Sequence, residues 1–366
     1  MLLADSAYVH IPFCSSICGY CDFPKVYYNA SWADAYLRRL FSEIRNELPE
    51  GVKLKTIYVG GGTPTCLPDA AFSSLLSFLS AYLDEGGEFS VEANPESRTK
   101  EKARLMKKCG VNRVSLGIQS SSPRLLALLG RKHTFADAEK AIALLKEQGI
   151  ANINADMMYA LPTESEAELM ADIQAFIALD IDHISAYSLI LEDNTLFKAK
   201  GLSEASQDEQ GKSYEAILQA FRDAGYERYE VSNFARNGRR CRHNLTYWKN
   251  EKYYGFGLGA ASYLGNERRK NTLNLTAYLA GKTIVERETV SEKDELEYFL
   301  LCNLRLAEGF EPDVFAQKFG LPFEEKCPTA AELFQLGLLI NEGNRVRASD
   351  YGLLTLDSIL VKLFAD

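Results

Sequence analysis

The sequence has little of what would place a protein outside the cell, in a membrane or on nucleic acid. It opens without the basic and apolar regions of a secretory signal, and eight cysteines in 366 residues are sparse for a disulfide-stapled fold. No apolar run approaches the roughly 18 residues that span a bilayer, and no repeat or low-complexity segment is evident. The net charge of -9 disfavours an extended surface for a polyanion. We therefore expect a cytoplasmic protein with no nucleic-acid partner.

The sequence also lacks the second half of a zinc site. Cys14, Cys18 and Cys21 are spaced C-x3-C-x2-C, and a disulfide, a zinc ion or an iron-sulfur cluster would each use such a group. A reducing compartment argues against the disulfide. Structural zinc takes four closed ligands, usually with a second C-x2-C or H-x3-H pair, and none follows nearby. A four-iron cluster normally takes four thiolates, so three would leave one iron open to a ligand from outside the protein.

Short strand-like runs alternate with amphipathic helical stretches over the first 200 residues. The strand candidates are the runs 7–13, 56–62, 88–95, 113–119, 153–162 and 183–190. Residues 34–48 place apolar side chains on one helical face, and Ser31 with Asp34 has the spacing of a capping box. Six β-α units in series require parallel strands joined by right-handed crossovers, in a partial barrel or a doubly wound sheet. In both, chemistry collects at the carboxyl ends of the strands.

The alternation fades near residue 200. Residues 208–224 look helical, 226–235 extended, and the chain from 291 onward reads as helices with a short strand around 344–349. A chain with 46% hydrophobic residues can bury one large domain and a smaller one. We predict a barrel over 1–225, a connecting segment over 226–290, and a small helical, winged-helix-like domain over 291–366.

A set of motifs in a fixed order carries a family resemblance. They are "YVHIPFCSSICGYCDF", "GGGTPT", "EANP", "RVSLGIQS", "GRKH", "ADMMYALP", "HNLTYW" and "GFGLGAAS". In these motifs the chain resembles the radical S-adenosylmethionine superfamily, in its HemN/HemW branch, over nearly its whole length. The resemblance implies an α/β fold with a partial (β/α)6 barrel, a 4Fe-4S cluster, and S-adenosylmethionine chelating the open iron through its amino and carboxylate groups.

The same motifs have a chemical interpretation residue by residue. Gly19 lets a short cysteine loop turn around a cluster, and the run from Gly60 to Gly62 either presents backbone N–H groups to a ligand or makes a tight turn. Glu92 lies in an apolar strand and could accept a hydrogen bond from a ribose or an amine. The resemblance implies that eight residues contact S-adenosylmethionine: Tyr8, Gly61, Gly62, Thr63, Glu92, Gln119, Arg131 and Asp156. Tyr20 lies between the cysteines and is a further candidate, which could shield the cluster, pack on the adenine of the cofactor, or simply pack in the core.

The four histidines divide into two groups. His10, His133 and His183 are expected to be hydrogen-bonded core or loop residues. His243 lies beside Tyr247 and Trp248, downstream of several arginines, and an imidazole with aromatic cover suits haem. From chemistry alone a structural histidine in a basic surface loop is the stronger reading. The resemblance favours haem, because H-N-x-x-Y-W is similar to a signature of haem chaperones. It implies haem contacts from His243, Asn244, Tyr247 and Trp248, with His243 on the iron.

Two functions follow from the resemblance. One is an oxygen-independent coproporphyrinogen III dehydrogenase, which decarboxylates propionates by radical chemistry. The other is a haem chaperone, whose partners would be haem and acceptor proteins of unknown identity, a membrane-associated acceptor included. Phe23 separates them, since the dehydrogenase pattern has a further cysteine, not a cluster ligand, at that position. We therefore expect a haem chaperone and leave enzymatic activity open.

Overall fold

The computed structural model describes residues 3–97, 99–193 and 195–365. In chain order the strands are β1 (Ser6–Ile11), β2 (Phe13–Cys14), β3 (Val26–Tyr27), β4 (Leu54–Gly61), β5 (Leu83–Ala93), β6 (Arg113–Gln119), β7 (Asn152–Tyr159), β8 (His183–Ser188), β9 (Glu227–Arg228), β10 (Asn233–Ala235), β11 (Tyr254–Phe256), β12 (Ala261–Leu264), β13 (Glu267–Asn271), β14 (Ile284–Thr289), β15 (Leu339–Glu342) and β16 (Arg345–Ala348).

The helices lie mainly between these strands. They are α1 (Ala30–Glu47), α2 (Asp69–Ser80), α3 (Lys100–Lys108), α4 (Pro123–Leu129), α5 (Phe135–Glu147), α6 (Glu166–Ala178), α7 (Leu196–Ala199), α8 (Gln207–Asp223), α9 (Arg242–Trp248), α10 (Leu275–Leu279), α11 (Glu292–Asn303), α12 (Pro312–Phe319), α13 (Phe323–Lys326), α14 (Ala330–Gln335), α15 (Asp350–Leu354) and α16 (Leu356–Leu363). None of those in the described ranges is both long and apolar enough to cross a membrane.

One nine-stranded sheet organises the barrel, in the order β11-β1-β4-β5-β6-β7-β8-β10-β9. Strands β1, β4, β5, β6, β7 and β8 pair in parallel, as the six predicted β-α units require. Strand β11 adds in parallel at one edge, and β10 adds antiparallel to β8 at the other. Within the described residues the edge strands do not pair with each other, so the barrel is partial, as expected.

The two faces of this sheet differ in chemistry because alternate residues of a strand point to opposite sides. Apolar side chains such as Val59, Val91 and Val114 join the main core with the surrounding helices. The opposite face carries buried polar side chains, among them Ser90, Ser115 and Asn154. Burial of apolar area on the helical face stabilises the fold, while the polar face lines the interior of the barrel.

Two sequence expectations differ from the structure. The first helix begins at Ala30, and Asn29, not Ser31, is its N-cap, since the Asn29 side chain accepts hydrogen bonds from the N–H groups of Ser31 and Trp32. The boundary placed at residue 225 divides strands that the structure pairs in one sheet, because β9, β10 and β11 all extend the barrel. The extended segment predicted at 226–235 covers β9 and β10, but strands of two or three residues carry no pattern that shows which strand they pair with.

The C-terminal region forms a separate helical core with a two-stranded wing, as predicted. Its centre is a group of phenylalanines in mutual edge-to-face or tilted contact: Phe299, Phe310, Phe315, Phe319 and Phe323. Strands β15 and β16 pair antiparallel. Gly343 and Asn344 join them with positive φ angles of 58° and 61°, the backbone that a tight hairpin turn requires.

Candidate cofactor-binding site

A cavity of about 400 Å³ opens at the carboxyl ends of the central strands. It brings together most of the residues predicted to bind the cluster or its cofactor. The predicted residues that line it are Cys14, Cys18, Cys21, Tyr20, Gly61, Gly62, Thr63, Glu92, Gln119, Arg131 and Asp156. They come from six different strands or loops, and parallel pairing gathers them at one edge of the sheet.

The cysteine loop is closed at its base by a short parallel pair, in which Cys14 of β2 lies opposite Tyr27 of β3. All three cysteines are free thiols. Thr63 Oγ1 lies 3.9 Å from Cys14 Sγ as a donor, and Arg131 Nη1 donates to Cys18 Sγ at 3.4 Å. These donors point at sulfur that would carry negative charge, so the loop is prepared for thiolate ligands.

The donor set fits a cluster better than a single ion. In the three described ranges no trio of His, Cys, Asp or Glu converges closely enough to hold one metal ion. A cuboidal cluster spaces its cysteines more widely, since each sulfur binds a different iron. Burial raises the pKa of the Cys14 thiol to about 11 and also raises the pKa of Cys21. Bound iron would hold both sulfurs deprotonated.

The glycines after β4 allow other groups to pack closely on the strand end. Gly61 has a φ of 111°, and a Cβ there would lie 2.3 Å from the His10 ring. A Cβ on Gly62 would lie 2.7 Å from the Phe13 carbonyl oxygen and 3.0 Å from Cys14 Sγ. The N–H groups of residues 61, 62 and 63 donate within the protein, to Glu92, Ile11 and Phe13. Close approach therefore explains this run, rather than N–H groups left free for a ligand.

Two buried carboxylates face the cavity. Glu92 accepts hydrogen bonds from the Gly61 N–H at 2.9 Å and from the Tyr58 hydroxyl at 3.0 Å. Asp156 accepts from Asn154 Nδ2 at 2.6 Å. Burial raises the pKa of Glu92 to about 7 and raises that of Asp156, partly offset by these donors. A cationic ligand would relieve both penalties.

Gln119 and Arg131 have buried polar atoms without a protein partner. Gln119 ends β6 in the left-handed region, with a φ of 70°, and its Oε1 accepts no hydrogen bond. Arg131 donates to Asn94 Oδ1 at 2.9 Å and to the Gly117 carbonyl at 2.5 Å, while its Nε has no acceptor. Unpartnered buried groups beside a cavity are a cost that a bound molecule can remove. The residues present thus fit a polar, cationic cofactor.

Tyr8 is the one residue predicted to contact S-adenosylmethionine that does not line the cavity. Its ring stacks on Tyr58 with centroids 6.2 Å apart, and its hydroxyl lies 2.9 Å from His10 Nδ1. His10 Nε2 lies 2.7 Å from the Pro24 carbonyl, which can only accept, so Nε2 donates and Nδ1 accepts from Tyr8. Burial lowers the pKa of His10 to about 4, which keeps it neutral. This chain of bonds fixes the end of the cysteine loop.

The predicted haem motif lies at the other end of the barrel, on helix α9. The His243 ring is 1% exposed; its Nδ1 is 2.7 Å from Thr56 Oγ1 and its Nε2 is 2.8 Å from the Tyr247 hydroxyl. Burial lowers its pKa to about 3. The amides of Arg242 and His243 donate to Glu88 on β5. In this conformation both ring nitrogens are occupied, and haem iron could reach His243 only after α9 withdrew.

The rest of the motif has a similar setting. Asn244 and Trp248 are half-buried, and the Tyr247 hydroxyl orients the imidazole. The arginines expected to suit propionates are paired within the protein: Arg236 with Asp180 and Asp182, Arg239 with Asp182, Arg240 with Glu308, and Arg242 with the Gly86 carbonyl. The structure therefore does not bring this motif to the cysteine cavity.

Sequence reasoning missed several residues that line the cavity: Lys25, Tyr58, Asn94, Ser115, Met158 and Tyr187. Most of them lie on strands, and the register between neighbouring strands would have identified them. Ser115 lies opposite Glu92 on the next strand, and Met158 opposite Tyr187. Because each pair shares a face of the sheet, a predicted register would have placed both partners inside.

The partial barrel with three cysteines after its first strand defines a radical S-adenosylmethionine protein. The sequence profile described as "Radical SAM superfamily" matches residues 8–176, and that of the "HemN C-terminal domain" matches residues 290–355. The predicted 4Fe-4S cluster and S-adenosylmethionine are the cofactors of this superfamily.

Curated relatives narrow the assignment. The chain is 38% identical to "Heme chaperone HemW" of Lactococcus lactis, over 99% of this chain and 98% of that protein. The protein of the same name from Bacillus subtilis is 36% identical, over 95% of this chain and 96% of the relative. The chain belongs to the HemW family. The solved coproporphyrinogen III oxidase HemN of Escherichia coli covers 98% of this chain and 89% of its own, with a TM-score of 0.85 and 21% identity, and shows the shared fold.

Proposed function

We propose that this protein binds haem and passes it to acceptor proteins. Relatives that match almost the whole chain are named haem chaperones. The observation that carries the choice against propionate decarboxylation is Phe23, which occupies the position of the dehydrogenase's additional cysteine. Its side chain lines the cavity mouth and is 57% exposed. A phenyl ring there offers apolar contact to a ligand but no thiol chemistry.

The cavity supplies the cofactor contacts in this proposal. Cys14, Cys18 and Cys21 would hold the cluster, and S-adenosylmethionine would supply the radical chemistry of this superfamily when bound. The protein's contribution is binding and orientation. Glu92 and Asp156 would accept hydrogen bonds from the cofactor's amino and hydroxyl groups, and the remaining contacts would come from Tyr20, Gly61, Gly62, Thr63, Gln119 and Arg131, with Tyr8 behind them.

The haem contacts of His243, Asn244, Tyr247 and Trp248 belong to a second conformation in this proposal. Helix α9 spans seven residues, and its polar contacts to the sheet include the imidazole bond to Thr56 and the Glu88 bonds, while the second imidazole bond, to Tyr247, lies within the helix. Withdrawal of this short helix would expose the imidazole together with its two aromatic neighbours. Acceptors remain defined only as proteins that take up haem.

The test is an anaerobic comparison of the two activities on the reconstituted protein. We expect haem to bind with a Soret band and to move to apomyoglobin used as a probe acceptor, while coproporphyrinogen III stays unchanged by chromatography. A parallel Phe23→Cys variant asks whether the missing thiol alone separates the two functions. Formation of protoporphyrinogen IX by the parent protein would contradict the chaperone proposal and support the dehydrogenase.

The haem ligand has its own test. Replacing His243 by Ala should shift the Soret band or weaken haem binding, because axial ligation sets the electronic state of the iron. His183→Ala is the matched control, since His183 is an equally buried imidazole with both nitrogens bonded, to Asn154 and Tyr229. Identical spectra for the parent and His243→Ala would assign the iron to another ligand.

A further inference from the structure

A row of three stacked rings joins helix α9 to the cofactor cavity. The Tyr58 ring stacks with His243, with centroids 5.2 Å apart and planes at 24°, and with Tyr8, with centroids 6.2 Å apart and planes at 26°. Such parallel packing restricts the rotation of the middle ring. The orientation of Tyr58 therefore depends on a neighbour from α9 and a neighbour from β1.

Both outer rings are held by hydrogen bonds. His243 is bonded to Thr56 of β4 and to Tyr247 one helical turn along α9. Tyr8 is bonded to His10, which is bonded to the Pro24 carbonyl behind the cysteine loop. The row thus has one end fixed at the base of the barrel and the other fixed at the loop.

The middle ring acts on the cavity through its hydroxyl. Tyr58 donates to Glu92 Oε1 at 3.0 Å, and the Gly61 N–H donates to Glu92 Oε2 at 2.9 Å. Each carboxylate oxygen therefore has one fixed donor. Tyr58 is the only one of the two donors whose position depends on side-chain packing.

From this geometry we infer that His243 and Tyr58 are positioning residues for Glu92, so that helix α9 controls the binding of S-adenosylmethionine from the opposite end of the barrel. The inference rests on the proposed role of Glu92 in binding that cofactor. It gives the H-N-x-x-Y-W motif a role that does not involve haem. His243 acts through the ring of Tyr58, and Tyr247 acts through His243.

The experiment is a double-mutant cycle on the haem-free, cluster-reconstituted protein, with S-adenosylmethionine affinity measured by equilibrium dialysis. Tyr58→Phe keeps the ring stack and removes the hydroxyl, and we expect about tenfold weaker binding, the scale of one hydrogen bond to a charged group. His243→Ala should weaken binding roughly threefold, since the hydroxyl stays but loses its alignment. Iron content should equal that of the parent in both variants.

The double variant distinguishes positioning from general damage. If His243 acts through the Tyr58 hydroxyl, adding His243→Ala to Tyr58→Phe should weaken binding no further. If the double variant instead shows the product of the two single affinity losses, the inference is wrong. Tyr226→Phe is the matched control, because it removes a buried hydroxyl that donates to the Ile181 carbonyl at 2.6 Å, away from the cavity, and it should leave the affinity unchanged.

The Glu92→Gln variant, measured in the same assay, distinguishes this inference from the proposed role of Glu92 in binding S-adenosylmethionine. If Glu92→Gln weakens binding and Tyr58→Phe does not, the positioning role is wrong and the site stands. If Glu92→Gln has no effect, both are wrong. Should His243→Ala fail to fold, Tyr247→Phe replaces it in the cycle, since that variant removes only the hydroxyl bonded to His243 Nε2. Failure of the parent to bind haem would overturn the chaperone and leave this inference intact.

Discussion

Both ends of the barrel interior carry buried polar residues, and Glu88 and His243 at the base differ from Gln119 at the carboxyl end in how their hydrogen bonds are satisfied. At the base, Glu88 accepts from Ser90, Cys241 and two α9 amides, and both nitrogens of His243 are bonded. At the carboxyl end, Gln119 has a strained backbone and an unpartnered oxygen. A buried polar group whose hydrogen bonds are made within the protein stabilises the fold. A polar group without a partner beside a cavity can instead form its hydrogen bond with a ligand.

The largest expected effect is loss of the cluster at the carboxyl end of the barrel, called the open end here because the cavity opens there. Cys18→Ala should abolish the broad charge-transfer absorbance after anaerobic reconstitution, because the three thiolates together hold the cluster. Iron per chain should fall well below four. Cys66→Ala is the matched control: Cys66 is half-buried close by, and its thiol donates to the Phe13 carbonyl at 3.3 Å. Loss of the cluster from Cys66→Ala, or four irons retained in Cys18→Ala, would contradict the ligand set.

The next effect compares two buried glutamates by their contribution to stability. Glu88→Gln should lower the free energy of unfolding by about 3 kcal/mol, because one acceptor oxygen would become an NH2 group facing donors that the carboxylate served, and the buried Arg113 would lose a neighbouring charge. Glu92→Gln should change it little at pH 8, since the lost acceptor is offset by relief of an unfavourable buried charge. Denaturant unfolding of the apoprotein measures both.

The difference in unfolding free energy between the parent and Glu92→Gln should depend on pH. The folded-state pKa of Glu92 is raised from 4.5 to about 7, so the native protein binds more protons and loses stability as the pH rises between those values. Relative to the parent, Glu92→Gln should therefore be less stable at pH 5 than at pH 8. An equal difference at both pH values, or an equal cost for the two glutamates, would remove the distinction between the two ends.

The open end could be predicted from the sequence, and the base could not. Cys14, Glu92 and Asp156 lie in motifs at or near strand ends, and parallel pairing brings such ends together whatever the details of packing. The position of His243 depends on β10 and β11 joining opposite edges of the sheet with α9 between them in the chain. The sequence predicts an extended segment around β10, but strands this short carry no pattern that identifies their pairing partners, so the sequence alone indicates a surface loop between β10 and β11.

The smallest expected effect is a pH dependence of cofactor binding at the open end. Burial raises the pKa of Glu92 to about 7, against the opposing effect of the Gly61 and Tyr58 donors. S-adenosylmethionine is cationic, so the carboxylate form should bind it, and the affinity should rise with pH through 7 and then level off. About one group in ten is ionised one unit below its pKa, so binding at pH 6 should be roughly tenfold weaker than at pH 8. The amino group of the cofactor titrates with every variant, and the difference between the parent and Glu92→Gln profiles isolates the protein's share. If affinity depends on pH in the same way in the parent and in Glu92→Gln, the protein's contribution would be assigned to Asp156. Burial also raises the pKa of Asp156.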